Sequence, residues 1–238
     1  MVALSLTAWL SSVGQEFHRN FIFEDRYRWL ISGLWNTLQM TFFAGIIGIL
    51  IGLVLSLIRV LHKSGARIGL LNAFANVYIT VIRGTPVVIQ ILIINFVIFA
   101  SVNVSKLVVA SLAFGINSGA YVAEIFRAGI NSVDSGQAEA ARSLGLSYGR
   151  SMRLVVLPQA VKNVLPALFN ELITLLKETS IAGYIAFTDL TRAGDNIRAL
   201  TYSAMPLLLV ALIYLAVVLL MTYLLRRLER RLASSDRG

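Results

Sequence analysis

The chain has 238 residues, of which 57% are hydrophobic and 14% charged, whereas a soluble domain carries about 25% charged residues. That balance excludes an ordinary soluble domain and a disordered chain, and 4 prolines with 17 glycines exclude a collagen-like or low-complexity one. With no cysteine there is no disulfide framework and no thiolate chemistry, and a formal net charge of +9 is weighed against membrane topology before nucleic acid is invoked.

In chain order, Val2, Leu6, Trp9, Leu10, Val13 and Phe17 recur at near-helical spacing, with Ser5, Ser12, Gln15, Glu16 and Arg19 elsewhere around the wheel. This pattern predicts an interfacial amphipathic helix. A signal peptide fits less well, because no positive segment precedes the stretch and a full span follows. Trp29 to Ile58 is free of charge and exceeds the roughly 18 to 20 residues that cross a hydrocarbon core. Residues Ile68 to Ile82, broken by Asn72 and Asn76, are too short to cross alone and read as a lead-in to the next span. Gly84 to Ser105 and Ala199 to Leu225 are further uncharged runs of sufficient length. Leu107 to Phe126 carries Glu124, and Val164 to Phe187 carries Glu171, Lys177 and Glu178; both are expected as spans. The sum is five helical spans, since backbone groups in lipid must be satisfied within the segment.

The connections after spans one and three and the C-terminal end hold thirteen Lys or Arg, against six on the opposite side. The positive-inside rule then places the N-terminus outside and the C-terminus in the cytoplasm. The chain divides into an extracytoplasmic or interfacial segment 1–28, a transmembrane domain 29–226 with a cytoplasmic loop 127–163, and a tail 227–238. Arg226, Arg227, Arg230 and Arg231 read as anchors to anionic lipid, not as a nucleic-acid site.

Enzyme motifs do not occur: there is no G-x-x-x-x-G-K-[ST] loop and no H-E-x-x-H pair. Two histidines, His18 and His62, leave little capacity for metal. Gly115-Ile116-Asn117-Ser118-Gly119 has the wrong spacing for a nucleophile turn. In the loop, Asp134 or Ser135 can cap a short Ala-rich helix and Gly145 can end it in the left-handed conformation. A second helix over Ser147 to Leu157 is expected to stop near Pro158. In span four, Asn170, Thr174 and Lys177, with Glu171 and Glu178, recur at three, four and seven and share one face. Ionisable residues at membrane depth cost about 2.5 to 3.5 kcal/mol each on insertion scales, so that face either lines a polar path or pairs with Arg83, Glu124 or another subunit. Thr179-Ser180 followed by Gly183 predicts loosened helix there.

Glu139-Ala140-Ala141, three residues, Gly145, nine residues, Val155, one residue and Leu157-Pro158 match the EAA-x3-G-x9-[IV]-x-LP loop, which resembles that of membrane subunits of ABC importers. Gly33-Leu34-Trp35-Asn36-Thr37-Leu38, Arg83-Gly84-Thr85-Pro86 with Gln90, Ala120 to Arg127, Leu157-Pro158-Gln159-Ala160 and Lys177-Glu178-Thr179-Ser180 resemble permeases of the histidine, glutamine and arginine importers. The departures are Val87-Val88 where leucines are usual, Asn95 for an aromatic, and Glu178 for aspartate. The resemblance spans residues 32 to 232 and implies an all-α helical bundle of type I importer architecture, not an enzyme. It implies a bacterial inner-membrane permease that carries a polar amino acid inward. Its partners would be a separate ATPase subunit that binds the ATP-Mg, an extracytoplasmic solute-binding protein and a second permease subunit. It assigns coupling to Glu139, Ala140, Ala141, Gly145, Leu157 and Pro158, and the solute site to Lys177, Glu178, Thr179 and Ser180, with Glu171 and Asn170 beside them on the polar face. The alternative reading is a self-sufficient secondary transporter or channel for small polar solutes, which the lack of a visible inverted repeat fits poorly.

Overall fold

The computed structural model describes residues 2–234, with side chains from 8 to 232; Arg237 and the side chains of Val2 and Leu6 lie outside the described residues. The described chain is helical with no strand. Helix α1 (Val2–Phe17) leads through a π turn and a 3-10 turn into α2 (Tyr27–Lys63). Then follow α3 (Gly69–Gly84), α4 (Val87–Ile93), which ends in a π turn to Ile98, and α5 (Lys106–Asn131). The short α6 (Ser135–Ser143) and α7 (Tyr148–Ser151) precede α8 (Leu157–Glu178), α9 (Leu190–Thr201) and α10 (Met205–Ser234).

Among the described residues four helical stretches are long and apolar enough to cross a membrane: 27–63, 106–131, 148–185 and 205–232. A fifth crossing exists only if α3 and the α4 segment, bent by 110° at their junction, count as one. The uncharged run from Gly84 to Ser105 is therefore not one straight span. Pro86 supplies no N–H, its ring would clash with the Ile82 carbonyl in a continuous helix, and Thr85 before it is extended (φ −120°, ψ 147°). The run from Ala199 to Leu225 is also divided. Tyr202 closes α9 at φ 53°, and Pro206, in the first turn of α10, would oppose the Tyr202 carbonyl in an unbroken helix. The expected stop near Pro158 is overturned as well. A π turn over Met152–Val156 widens the backbone ahead of the proline, and helix continues from Tyr148 to Ile185. Helix α10 likewise runs past residue 227 to Ser234, so the assigned tail begins as helix.

The bundle is organised around α2 against α5. In lipid, burying apolar surface brings little net gain, so close backbone approach through small residues carries helix association. Ala44, Gly48 and Gly52 on α2 and Ser111, Gly115, Gly119 and Ala123 on α5, all buried, recur every four residues. A β-carbon on Gly52 would stand 2.4 Å from Val122, one on Gly115 2.6 Å from Ile47, and one on Gly119 2.7 Å from Ile51. The main core, with Met40, Ile91, Phe114, Leu175 and Ile185, fills the space between α2, α4, α5 and α8.

Candidate functional site

Helix α6 sits where the loop was read, and its caps explain its shortness. The Asp134 carboxylate accepts from the Gly136 N–H at 2.8 Å. At the other end Leu146 N–H donates to Ala141 O and Gly145 N–H to Arg142 O, the paired bonds that close a helix around a left-handed residue. That residue is Gly145, at φ 86° with open space where a β-carbon would stand. Glu139 and Ala140 are exposed and Leu144 is 85% exposed. Ala141 is buried against this chain's own α7 and the turn that follows, where Ser151 Oγ donates to Ala138 O at 3.3 Å. Bulk at Ala141 would therefore separate α6 from its own support. Leu157 and Pro158 are exposed at the start of α8.

The polar residues of the fourth span divide between two environments. Asn170, Thr174 and Lys177 are exposed on α8, and Glu171 and Glu178 are half-buried. Ser118 Oγ donates to Glu171 Oε1 at 2.7 Å, in a largely apolar groove of about 290 Å³ between α2, α5 and α8. Thr179 is fully buried, donates to its own Leu176 carbonyl at 2.7 Å and lies 3.5 Å from the Thr41 hydroxyl. Helix loosening occurs as expected: residues Thr179–Ile185 form a 3-10 helix ending at Ala186 with φ 60°. Ser180 opens instead into a polar cleft of about 360 Å³ with Asp189, Thr191, Arg192 and Asp195. Among the described residues none of the pairs expected with Arg83 or Glu124 forms. Arg83 lies over the Tyr121 ring at 5.3 Å, and Glu124 bonds Arg59 at 3.3 Å and Arg127 more closely.

The cleft beside Ser180 contains residues that the sequence pattern marks only for topology or not at all. Arg192 and Arg198 both contact Asp195, at 3.5 and 2.8 Å. Asp189 caps α9 by accepting from the Thr191 and Arg192 N–H groups at 3.0 and 3.1 Å, yet burial pushes its carboxyl above the usual aspartate range. The start of α9 is gripped by the Gly33 to Leu38 stretch. Asn36 Nδ2 donates to Thr188 O at 2.8 Å, Thr37 Oγ1 accepts from Leu190 N–H at 3.0 Å, and a β-carbon at Gly33 would stand 2.8 Å from Asp189 O. Gln90 holds the α3–α4 bend. Its amide donates to Ile82 O and Thr85 Oγ1, both at 2.8 Å, and its carbonyl accepts from Asn117 at 2.9 Å. The departure at Asn95 has a partner too, since Lys106 Nζ donates to it at 2.6 Å. Among the described residues no group of three or more His, Cys, Asp or Glu converges as a metal site.

Comparison with known proteins gives three kinds of likeness. The family described as binding-protein-dependent transport system inner membrane component matches residues 65–234. The chain is similar to an arginine transport system permease of Bacillus subtilis (strain 168), 40% identical over 213 residues, covering 87% of this chain and 94% of that protein. It is 38% identical over 199 residues to the glutamine transport system permease of Escherichia coli (strain K12), covering 82% and 90%. Its structure resembles a crystal structure of an amino acid ABC transporter with histidines, at TM-score 0.81 and 45% identity over 89% of this chain and 98% of that one. An inward facing methionine ABC transporter shares the fold at TM-score 0.74 and 24% identity, covering 86% and 96%.

Proposed function

The chain belongs to the family of binding-protein-dependent transport system inner membrane components, and on that premise we propose that it is the permease subunit of an ATP-driven importer for a polar amino acid. The observation that carries this reading is α6: a capped, exposed helix braced on α7, at the end of the bundle where the Lys/Arg excess gathers. Such a helix is a rigid knob for a groove on a separate ATPase, with Glu139 and Ala140 outward and Ala141 fixing its stance. This end faces the cytoplasm in the proposed orientation, and the N-terminus and α9 face outward. A solute-binding protein would deliver to the α9 side, and a second permease subunit, identical or related, would complete the path.

The solute would meet Glu178, Ser180 and Lys177 first, with Asn170 and Glu171 further along the same helix. The 3-10 segment supports this, because it presents backbone carbonyls outside the α-helical ladder. Thr179 contributes by holding that segment against α2, since its hydroxyl is already engaged within the chain. ATP-Mg would be bound by the ATPase, and this chain carries neither the hydrolysis nor a cofactor of its own.

The test is reconstitution with the partner ATPase and binding protein in proteoliposomes. ATP-dependent uptake of a labelled amino acid is expected, and uptake by this chain with no ATPase present would establish the secondary-transport alternative instead. Gly145→Val puts a β-branched residue at positive φ, which costs about 1 to 2 kcal/mol locally. Binding-protein stimulation of ATP hydrolysis should be lost while the complex still assembles. Wild-type stimulation in that variant would overturn the coupling role.

A further inference from the structure

A third cleft, of about 340 Å³, lies at the α6 end of the bundle among α2, α3, α5 and α7. Its walls present Arg59, Lys63, Asn72, Asn76, Arg127 and Tyr148, so four helices contribute hydrogen-bond donors to one space. Among these wall residues the charge is one-sided. Glu124 sits behind the wall, bonded to both Arg59 and Arg127, and a single carboxylate neutralises only one of two guanidiniums. Lys63 adds a cation that makes no ion pair, and the Asn72 and Asn76 amides make no hydrogen bond, among the described residues. Guanidiniums fixed by a shared carboxylate keep further N–H groups for a second acceptor.

The cleft opens where α2 and α5 end and α3 begins, at the boundary between apolar span and water. Val60, Ile130 and Met152 add apolar wall beside the cations. We propose that this cleft binds a phosphate group, carried by an anionic phospholipid headgroup or free in solution. The bound group joins Tyr148 of α7 to Arg59 and Lys63 of α2, and so ties the support of α6 to the helix around which the bundle is organised. The inference is independent of the transport reading, because it needs neither an ATPase nor a solute.

Native mass spectrometry of the full-length chain in neutral detergent tests it, with phosphatidylglycerol, phosphatidylcholine and inorganic phosphate as probes. The wild type is expected to retain phosphatidylglycerol over phosphatidylcholine, and Lys63→Gln and Asn76→Leu to weaken that retention by about tenfold and severalfold respectively. Lys63→Arg should restore it. Arg67→Gln, an exposed cation at the same end but outside the cleft, should leave it unchanged. Retention that inorganic phosphate displaces assigns the free ion as an occupant, and retention that it does not displace assigns the lipid. Equal binding of both probes by the wild type and the two cleft variants, or an equal loss in Arg67→Gln, would overturn the site. Lys63 and Asn76 are both exposed, so either variant reports on binding with the fold intact.

Discussion

Where α2 meets α5, Gly48, Gly52, Gly115 and Gly119 remove the β-carbons from the line of contact, and 67% of the most apolar stretch of α5 is buried within the chain. Along the helix containing α8 the corresponding share is 17%, and Asn170, Thr174 and Lys177 lie exposed, as do Val161 and Leu165 elsewhere around the same helix. Apolar surface can be left facing lipid at no cost, whereas exposed polar surface at membrane depth cannot. The first contact is therefore complete inside one chain. The second is half of something, and its polar strip requires a wet path or another subunit.

The sharpest way to break that contrast is Gly52→Val. A β-carbon there meets Val122 at 2.4 and 2.6 Å and the Ala123 backbone nitrogen at 2.8 Å, and neither α5 backbone nor a β-branched side chain can yield. We expect a loss of about 3 kcal/mol, read as a collapse in the yield of monodisperse protein or a large fall in melting temperature. Thr174→Ala on α8 should stay within about 0.5 kcal/mol of wild type. Equal stability for the two variants would erase the distinction.

Gln90→Leu comes next. It strands the Ile82 carbonyl and the Asn117 amide at the α3–α4 bend, at a cost of about 1 to 3 kcal/mol, and thermal unfolding in detergent measures it. A neutral effect would mean that Pro86 alone holds the bend.

Glu178→Gln sharpens the contrast from the other side. Its stability should change by no more than about 0.5 kcal/mol, while uptake of the cognate amino acid falls if the carboxylate reads an ammonium group. Normal uptake at normal complex yield would remove Glu178 from the solute path.

The smallest effect concerns Asp189. Because burial raises its pKa in the folded state, the ionised form costs stability. That cost is absent below the ordinary aspartate pKa and is present in full above the raised one. Asp189→Asn has one amide oxygen for the Thr191 and Arg192 N–H groups that the two carboxylate oxygens accept from, so it should melt lower than wild type, with the deficit largest at low pH and shrinking as the pH rises from the ordinary aspartate pKa through the raised one. A deficit that grows as the pH rises would reverse the sign of the argument.

Much of this was legible from residue order. The uncharged runs locate α2 and the core of α10, the apolar run interrupted by Glu124 locates α5, and the cap at Asp134 and the left-handed Gly145 follow from local chemistry that tertiary packing does not override. Counting uncharged residues failed at Pro86 and at Tyr202 to Pro206, because charge reports on burial in lipid and is blind to backbone continuity. The four-residue recurrence of small residues on α2 and α5 was present in the sequence but weighs nothing until two helices are known to touch. Likewise the facing direction of Ala141, and the separation of Glu171 from Ser180 into different clefts, depend on which helix lies alongside. Asn36 and Thr37 belong to a recognisable stretch, yet only the placement of α9 shows that they serve to hold Asp189 and its neighbours in position.

The unbroken helix from Tyr148 to Ile185 has 38 residues and is about 57 Å long at 1.5 Å per residue. One end is bolted to α6 and the other is the 3-10 segment beside Ser180 and Arg192. A rod of that length is a lever: pivoting it by about 5° at the α6 end sweeps the far end through about 5 Å, roughly the diameter of a side chain. The π turn and Pro166 mark the places where such a rod would flex under load, and both lie nearer the α6 end than the 3-10 end.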